Sequence, residues 1–207
     1  DQMVSIGSLG LIVLFQKEIR HFFSTIGARN RRSEVFRRIF GSRKTDHLDV
    51  NRKQILPIVM ACINMAKQKV GALIIIQRSD SLKEEIDSGD LINAYISQRL
   101  IENIFFKNSP LHDGAMIVSN RRITAAGCIL PVSHDPHIPK ALGLRHRAAK
   151  GMSEKSDCLA IVISEETGNI SVVSDGKFRL HLDGQKLEQI LMEEWDGEPL
   201  QRKTEDA

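Results

Sequence analysis

Two short stretches carry the side chains best suited to chemistry. Ser109-Pro110-Leu111-His112-Asp113-Gly114-Ala115 sets an imidazole and a carboxylate beside a glycine, and Leu144-Arg145-His146-Arg147-Ala148-Ala149 sets two fixed cations around a histidine. A carboxylate suits a hard divalent ion such as Mg²⁺ or Mn²⁺, which needs few protein ligands when phosphate oxygens supply the rest. Glycine lets backbone approach a ligand closely, and guanidinium forks match phosphate oxygens. Together the stretches fit a metal-dependent nucleotide site. Each also has a plainer reading: Asp113 as a turn former bonding nearby backbone amides, and Arg145 and Arg147 as surface arginines on an exposed helix. Two residues apart on a regular helix, those arginines diverge by about half a turn. They converge on one ligand only at a helix start or in a loop, which Gly143 permits. Between two cations, His146 is disfavoured from protonating and reads as structural rather than catalytic.

Two further groups are candidates. Ser164-Glu165-Glu166-Thr167-Gly168 directly follows an apolar run, which puts it at the C-terminal end of a strand, where open α/β sheets hold ligands. A hydrophilic turn is the alternative. His134-x-x-His137 has the spacing of a metal pair, yet it lies in a loop bracketed by Pro131, Pro136 and Pro139 with no obvious third ligand for zinc.

The elements that must hold these groups follow from periodicity. Residues 3–26 read as a helix with an apolar start, and 27–46 as a basic linker without apolar period, either a solvated connector or a positive collar beside a membrane. Val50, Ile55, Ile58, Val59, Cys62, Ile63 and Ala66 recur at helical spacing between 49 and 69. Apolar runs at 70–77, 115–118 and 158–163 have strand length and no alternation, the mark of strands covered on both faces. A helix is expected over 94–106, a strand over 123–130 joined to 115–118 by a hairpin, a helix near 140–151, strands at 170–173 and 177–182, and a closing helix over 185–195. This mixture predicts an α/β domain with a mixed central β-sheet flanked by helices and an N-terminal helical extension. The domains are 1–46, helix and juxtamembrane linker; 47–195, the site-bearing domain; and 196–207, a polar tail.

With 207 residues and 42% hydrophobic content the chain can bury a substantial core, which excludes disorder throughout. A net charge of +3 is no argument for nucleic-acid binding, since the basic residues crowd 29–44 and the acidic ones weight the C-terminus. Cys62, Cys128 and Cys158, odd in number and without a CxxC pair, read as reduced core cysteines of a cytosolic protein. The apolar start at Met3–Phe15 is too short to cross a bilayer and is read as the end of a longer hydrophobic segment.

Gly71-Ala72-Leu73-Ile74, Pro110-Leu111-His112-Asp113-Gly114-Ala115, Gly127-Cys128-Ile129-Leu130-Pro131, Leu142-Gly143-Leu144-Arg145-His146-Arg147-Ala148-Ala149 and Ser164-Glu165-Glu166-Thr167-Gly168 occur in an order and spacing that resembles bacterial diadenylate cyclases of the membrane-anchored CdaA type, over roughly residues 47–190. The resemblance implies condensation of two ATP molecules into cyclic di-AMP across a face-to-face homodimer. It implies Mg²⁺ or Mn²⁺ held by His112 and Asp113 with Glu166 at the metal and phosphate end, and phosphates held by Arg145, Arg147 and Ser164. It places Gly114, Ala115 and the Leu130 backbone at the adenine, and Leu144, His146 and Glu165 along the nucleotide. It further implies membrane helices upstream, a catalytic domain on the cytoplasmic face, and association with a membrane regulator and phosphoglucosamine mutase. Four positions depart from the family's common pattern: Leu144 where Thr is frequent, Gln77 where Glu is common, Asn93 where Asp is common, and Ile129 where some relatives carry an aromatic. Leu144 and Gln77 motivate a competing reading, a nucleotide-binding regulatory module without catalysis; the N-terminal segment motivates another, a membrane-tethered assembly partner.

Overall fold

A computed structural model describes residues 44–195; the expected helix over 3–26, the linker up to residue 43 and the tail from 196 lie outside the described residues. Seven strands form one mixed sheet. In chain order the elements are α1 (Lys44–Lys67), β1 (Ala72–Ile76), α2 (Lys83–Asp87), β2 (Asp90–Tyr95), α3 (Gln98–Ile104), a 3₁₀ turn (Pro110–His112), β3 (Ala115–Ser119), β4 (Arg122–Cys128), α4 (Leu144–Lys155), β5 (Leu159–Ile163), β6 (Ile170–Ser174), β7 (Lys177–Leu182) and α5 (Gly184–Glu194). The strand order is β2-β4-β3-β1-β5-β6-β7. Only β1 and β3 run parallel; every other neighbouring pair is antiparallel.

The unbroken apolar runs are explained by layering. Along β1, Ala72, Ile74 and Ile76 pack with α1, α3 and α5, while Leu73 and Ile75 pack with α2 and α4 on the other face. Each side chain of β1, β3 and β5 is therefore buried whichever way it points. The hairpins turn where the sequence supplies residues that tolerate positive φ. Asn120 and Arg121 join β3 to β4 with φ of 49° and 60°, and Asp175 and Gly176 join β6 to β7 with φ of 50° and 69°. Both are two-residue turns whose twist matches the strands.

Three expected boundaries are corrected. The stretch from Ala94, expected to open a helix, is still strand: β2 runs to Tyr95, and α3 begins only after Ser97, whose hydroxyl accepts the Leu100 amide as an N-cap. The apolar spacing that suggested a longer helix belongs partly to a bulged edge strand, in which Asn93 takes φ 45° and its amide oxygen accepts from Arg122 Nε at 2.7 Å. Asn tolerates that left-handed conformation better than most residues, so its occurrence here has a local cause. Likewise α4 starts at Leu144, not near Lys140, and β4 ends at Cys128.

The loop between β4 and α4 lies directly on the helix. Ser133 N donates to Arg147 O at 3.0 Å, and Asp135 accepts from Lys150 Nζ and from the amide and Nδ1 of His137. The Lys150 bond, helped by those from His137, holds the Asp135 carboxyl well below the usual carboxylate range. Space for the loop exists because residue 151 is glycine: a Cβ there would stand 2.4 Å from Pro131 O and 2.8 Å from Ser133 N. Helix propensity alone gives Gly151→Ala a gain of about 1 kcal/mol. Backbone overpacking reverses the sign, and we expect a loss of about 2 kcal/mol. Thermal unfolding should show it as a melting temperature lower by about 4–8 °C; an unchanged or raised value would mean the loop yields freely.

Candidate active site

The candidate residues gather at one end of the sheet. Because β1 and β3 are parallel and β4 and β5 run against them, that end collects the starts of β1 and β3 and the finishes of β4 and β5. Extending the Ile74↔Met116 register back along both strands sets Gly71 beside Asp113. Ser164, Glu165 and Glu166 stand, as expected, directly beyond the C-terminal end of a buried strand, β5. Because β5 is antiparallel to β1, that end coincides with the amino ends of the parallel pair.

Asp113 ends the 3₁₀ turn in extended backbone, with its side chain 85% exposed. No backbone amide among the described residues is recorded as donating to it, unlike a turn-forming aspartate. Its neighbour His112 is oriented by Ser109: Nδ1 lies 2.6 Å from the Ser109 carbonyl oxygen, which only accepts, so Nδ1 is the donor, and in the neutral ring Nε2 bears the lone pair. That Nε2 stands 3.4 Å from Asp113 Oδ1. An imidazole fixed through its other nitrogen, next to a free carboxylate, is the usual second-sphere arrangement of a metal ligand.

Gly114 takes φ 116°, and a Cβ on it would stand 2.7 Å from Gly127 C and 2.8 Å from Cys128 O. The backbone of the Asp113-Gly114-Ala115 stretch is thus laid against the end of β4, which leads into Ile129 and Leu130. Leu130 is buried while Ile129 is 74% exposed.

On the opposite side stands α4. Its N-cap is Gly143, which offers no side-chain cap, so Leu144 and Arg145 begin the helix with amides directed outward. A helix start of this kind favours anions. Arg145 occupies the second helical position and reaches back over β1. Its Nη1 bonds Glu165 Oε2 at 2.8 Å, and a Cβ on Gly71 would meet Nη1 at 2.7 Å and Glu165 Oε2 at 2.9 Å. The guanidinium therefore rests on Gly71, where the absent side chain leaves room for it. Arg147, two positions on, is half-buried and enters no recorded ion pair with another described residue. His146 turns inward: it is 5% exposed, its ring centroid lies 6.4 Å from that of Phe178, and burial pushes its pKa below the ordinary histidine value. It packs α4 against the sheet, in keeping with a structural role.

Ser164 serves the turn after β5. Its Oγ accepts from Thr167 N at 3.2 Å and its carbonyl from Gly168 N at 2.9 Å, which leaves the hydroxyl proton to donate elsewhere. Glu165 and Glu166 project from this turn, both exposed. Glu166 shares the sheet end with Asp113, but β1 stands between their strands, a separation of roughly 10 Å at ordinary strand spacing. Accordingly, among the described residues no three His, Cys, Asp or Glu side chains gather into a metal-binding group, and this holds for His134 and His137 too. His112 and Asp113 fit Mg²⁺ or Mn²⁺ as a two-donor set completed by phosphate oxygens and water, the pattern hard cations adopt with nucleotides.

Of the departures, Gln77 follows the far end of β1, away from these groups, and its amide bonds Val118 O at 2.9 Å. Ile129 and Leu144, 74% and 76% exposed, rim the site on either side. Sequence reasoning missed Ser88 and Gly89, which abut the end of β4. Gly89 after Glu84-Glu85-Ile86-Asp87-Ser88 was the available signal, a glycine closing a short polar helix.

Residues 59–178 match the family DAC, described as DisA bacterial checkpoint controller nucleotide-binding. The chain is 40% identical over 195 residues to cyclic di-AMP synthase CdaA of Bacillus subtilis, covering 94% of this chain and 68% of that one. It is 41% identical over 197 residues to a diadenylate cyclase of Listeria monocytogenes, with the same coverage of both chains. Among solved structures, a double cysteine mutant of DacA from Staphylococcus aureus superposes with a TM-score of 0.69 at 45% identity, over 70% of this chain and 97% of that one. A Bacillus cereus protein described as a hypothetical membrane spanning protein gives 0.59 at 32% identity, over 83% and 80%.

Proposed function

The chain belongs to the DAC family of diadenylate cyclases, and from that premise we propose that it condenses two ATP molecules into cyclic di-AMP, releasing two pyrophosphates. The observation that carries the reading is that both motifs come to one sheet end: the Arg145 guanidinium rests on Gly71 at the start of β1, and Asp113, free of backbone partners, precedes the parallel strand β3.

In each bond-forming step a ribose 3′-oxygen attacks the α-phosphorus of the other ATP, and the bond to pyrophosphate breaks. Negative charge grows on the phosphoryl oxygens and the leaving group. Arg145 and Arg147 supply fixed positive charge there, and the outward amides of α4 add donors that need no reorganisation. Arg145 exchanges Glu165 for phosphate as the nucleotide enters. His112 and Asp113 would hold the divalent ion, Asp113 by its carboxylate and His112 by Nε2, and an ion held there would supply charge to neutralise phosphate and orient the reacting groups. Glu166 stands at the phosphate end, and Ser164 donates its free hydroxyl proton to phosphate. Gly114, Ala115 and the Leu130 backbone border the base.

Each chain carries one such set, whereas the reaction joins two equivalent nucleotides. Two chains must present their sites face to face about a two-fold axis. Tethering to the cytoplasmic face of a membrane by the segment before residue 44 belongs to the same proposal; among the described residues no helix is long and apolar enough to cross a membrane.

Incubation with ATP and Mg²⁺ or Mn²⁺, followed by chromatography of the nucleotides, tests the proposal. We expect cyclic di-AMP, at a specific activity that rises with protein concentration through the range in which the chain self-associates. No product with either ion would overturn the cyclase reading, and binding of ATP without product at any concentration would assign the chain to the non-catalytic regulatory class. Specific activity independent of concentration down to the monomer would remove the face-to-face requirement.

A further inference from the structure

We propose that Ser88 is a positioning residue for base recognition. It lies outside every motif discussed above, at the C-cap of α2, and is itself exposed. Its Oγ donates to the Glu85 carbonyl oxygen at 2.6 Å and accepts from Ile129 N at 3.0 Å. The hydroxyl has one proton, so these two bonds fix its direction.

What this hydroxyl holds is the peptide unit between Cys128 and Ile129, whose other end is also pinned. The Cys128 carbonyl oxygen lies 2.8 Å from where a Cβ on Gly114 would stand, so it faces the motif that carries Asp113. Next to Ser88, Gly89 is packed against Ala126 O and Cys128 Sγ, each 2.6 Å from its absent Cβ. Ser88 and Gly114 thus hold the two ends of one peptide plane, with Gly89 packed just before it, and that plane leads directly into Leu130. The support behind Ser88 is firm as well: Glu85 is 5% exposed and accepts from Lys155 Nζ of α4 at 2.9 Å. A continuous path therefore runs from the helix bearing the arginines, through α2 and Ser88, to the backbone at the base.

The Ser88–Ile129 bond is poorly suited to a stabilising role. Ser88 and Ile129 are both exposed, so water can replace either partner at little cost to the fold. Water would not restore the peptide's orientation. A backbone that reads a base edge must present its amide and carbonyl at fixed angles, and it is this presentation that the hydroxyl secures.

The inference rests on reading the site as one for adenine nucleotides, and the test separates the two. Calorimetric titration with 3′-deoxy-ATP and 3′-deoxy-GTP, which lack the attacking hydroxyl and cannot condense, is made on the parent chain, Ser88→Ala and Ser88→Thr. Ser88→Ala should weaken 3′-deoxy-ATP about fivefold, the scale of one net hydrogen bond, and leave 3′-deoxy-GTP within about twofold, so that selectivity narrows. Ser88→Thr, which keeps the oxygen, should bind as the parent does, and all three should melt within a degree or two of one another. Unchanged affinity in Ser88→Ala overturns the inference, as does equal weakening of both nucleotides or a fall in melting temperature with affinity intact. A parent chain that binds 3′-deoxy-ATP but makes no cyclic di-AMP from ATP overturns the cyclase reading while the Ser88 comparison still decides its own question. Failure to bind 3′-deoxy-ATP at all overturns both.

Discussion

Asp113→Asn should leave the fold intact and lower cyclic di-AMP formation roughly 10³-fold, the scale on which an ion's charge stabilisation is lost when its carboxylate becomes a neutral amide. The two halves of this expectation have separate grounds. The fold survives because the Asp113 side chain is 85% exposed and its polar side-chain neighbour is His112, at 3.4 Å. The backbone at 113 is ordinary extended conformation, which Asn also adopts. Activity falls because the substitution preserves shape and removes charge, so the loss cannot be assigned to packing. Circular dichroism and thermal melting check the first half, chromatography of product under both Mg²⁺ and Mn²⁺ the second. Retention of more than about a tenth of the parent rate would take Asp113 out of the metal role, since no other carboxylate joins His112 at that strand end among the described residues.

How this site is assembled also shows what sequence pattern could foresee. The three strands legible without alternation, β1, β3 and β5, are covered on both faces, where burial favours an unbroken apolar run; β6 is buried throughout as well, but its serines break the run. Strand β2 was not legible because it is an edge: Leu91 and Tyr95 are exposed at 74% and 73%, and a bulge at Asn93 breaks the period, so its residues merged with the apolar spacing of the following helix. Direction was the harder matter. Periodicity places a strand but says nothing about which way it runs: Glu165 and Glu166 are legible at the C-terminal end of β5, but not that this end lies beside the starts of β1 and β3. Gly143 permits a helix start just before Arg145 and Arg147, and α4 does begin directly after it, although the helix is expected from near Lys140. Gly89 marks the end of the short helix that carries Ser88, but the bond from Ser88 to the amide of residue 129 is a long-range contact that no local pattern marks.

Arg145→Ala is expected to cost about 10²–10³-fold in kcat/KM, comparable to deleting one preorganised donor from a charge-stabilising site. Its guanidinium now lies between Glu165 and Gly71, and the exposed Glu165, left without its partner, loses little in stability. The electrostatic consequence is larger. With Arg145 gone, an incoming triphosphate meets Glu165 and Glu166 with only Arg147 and the α4 amides to offset them. Arg145→Lys restores charge but not the fork, and a point charge cannot bond Glu165 and then a phosphate in the same two-pronged way. We therefore expect Lys to recover only part of the activity, leaving a deficit of about tenfold. Arg147→Ala should fall between the two, because that side chain diverges by about half a turn from Arg145 on the helix. Steady-state kinetics on the three variants orders them, with melting curves as control. If Arg145→Ala works within tenfold of the parent, the phosphates are held elsewhere, and the close packing of a guanidinium on Gly71 would serve only to seal the Glu165 turn against β1.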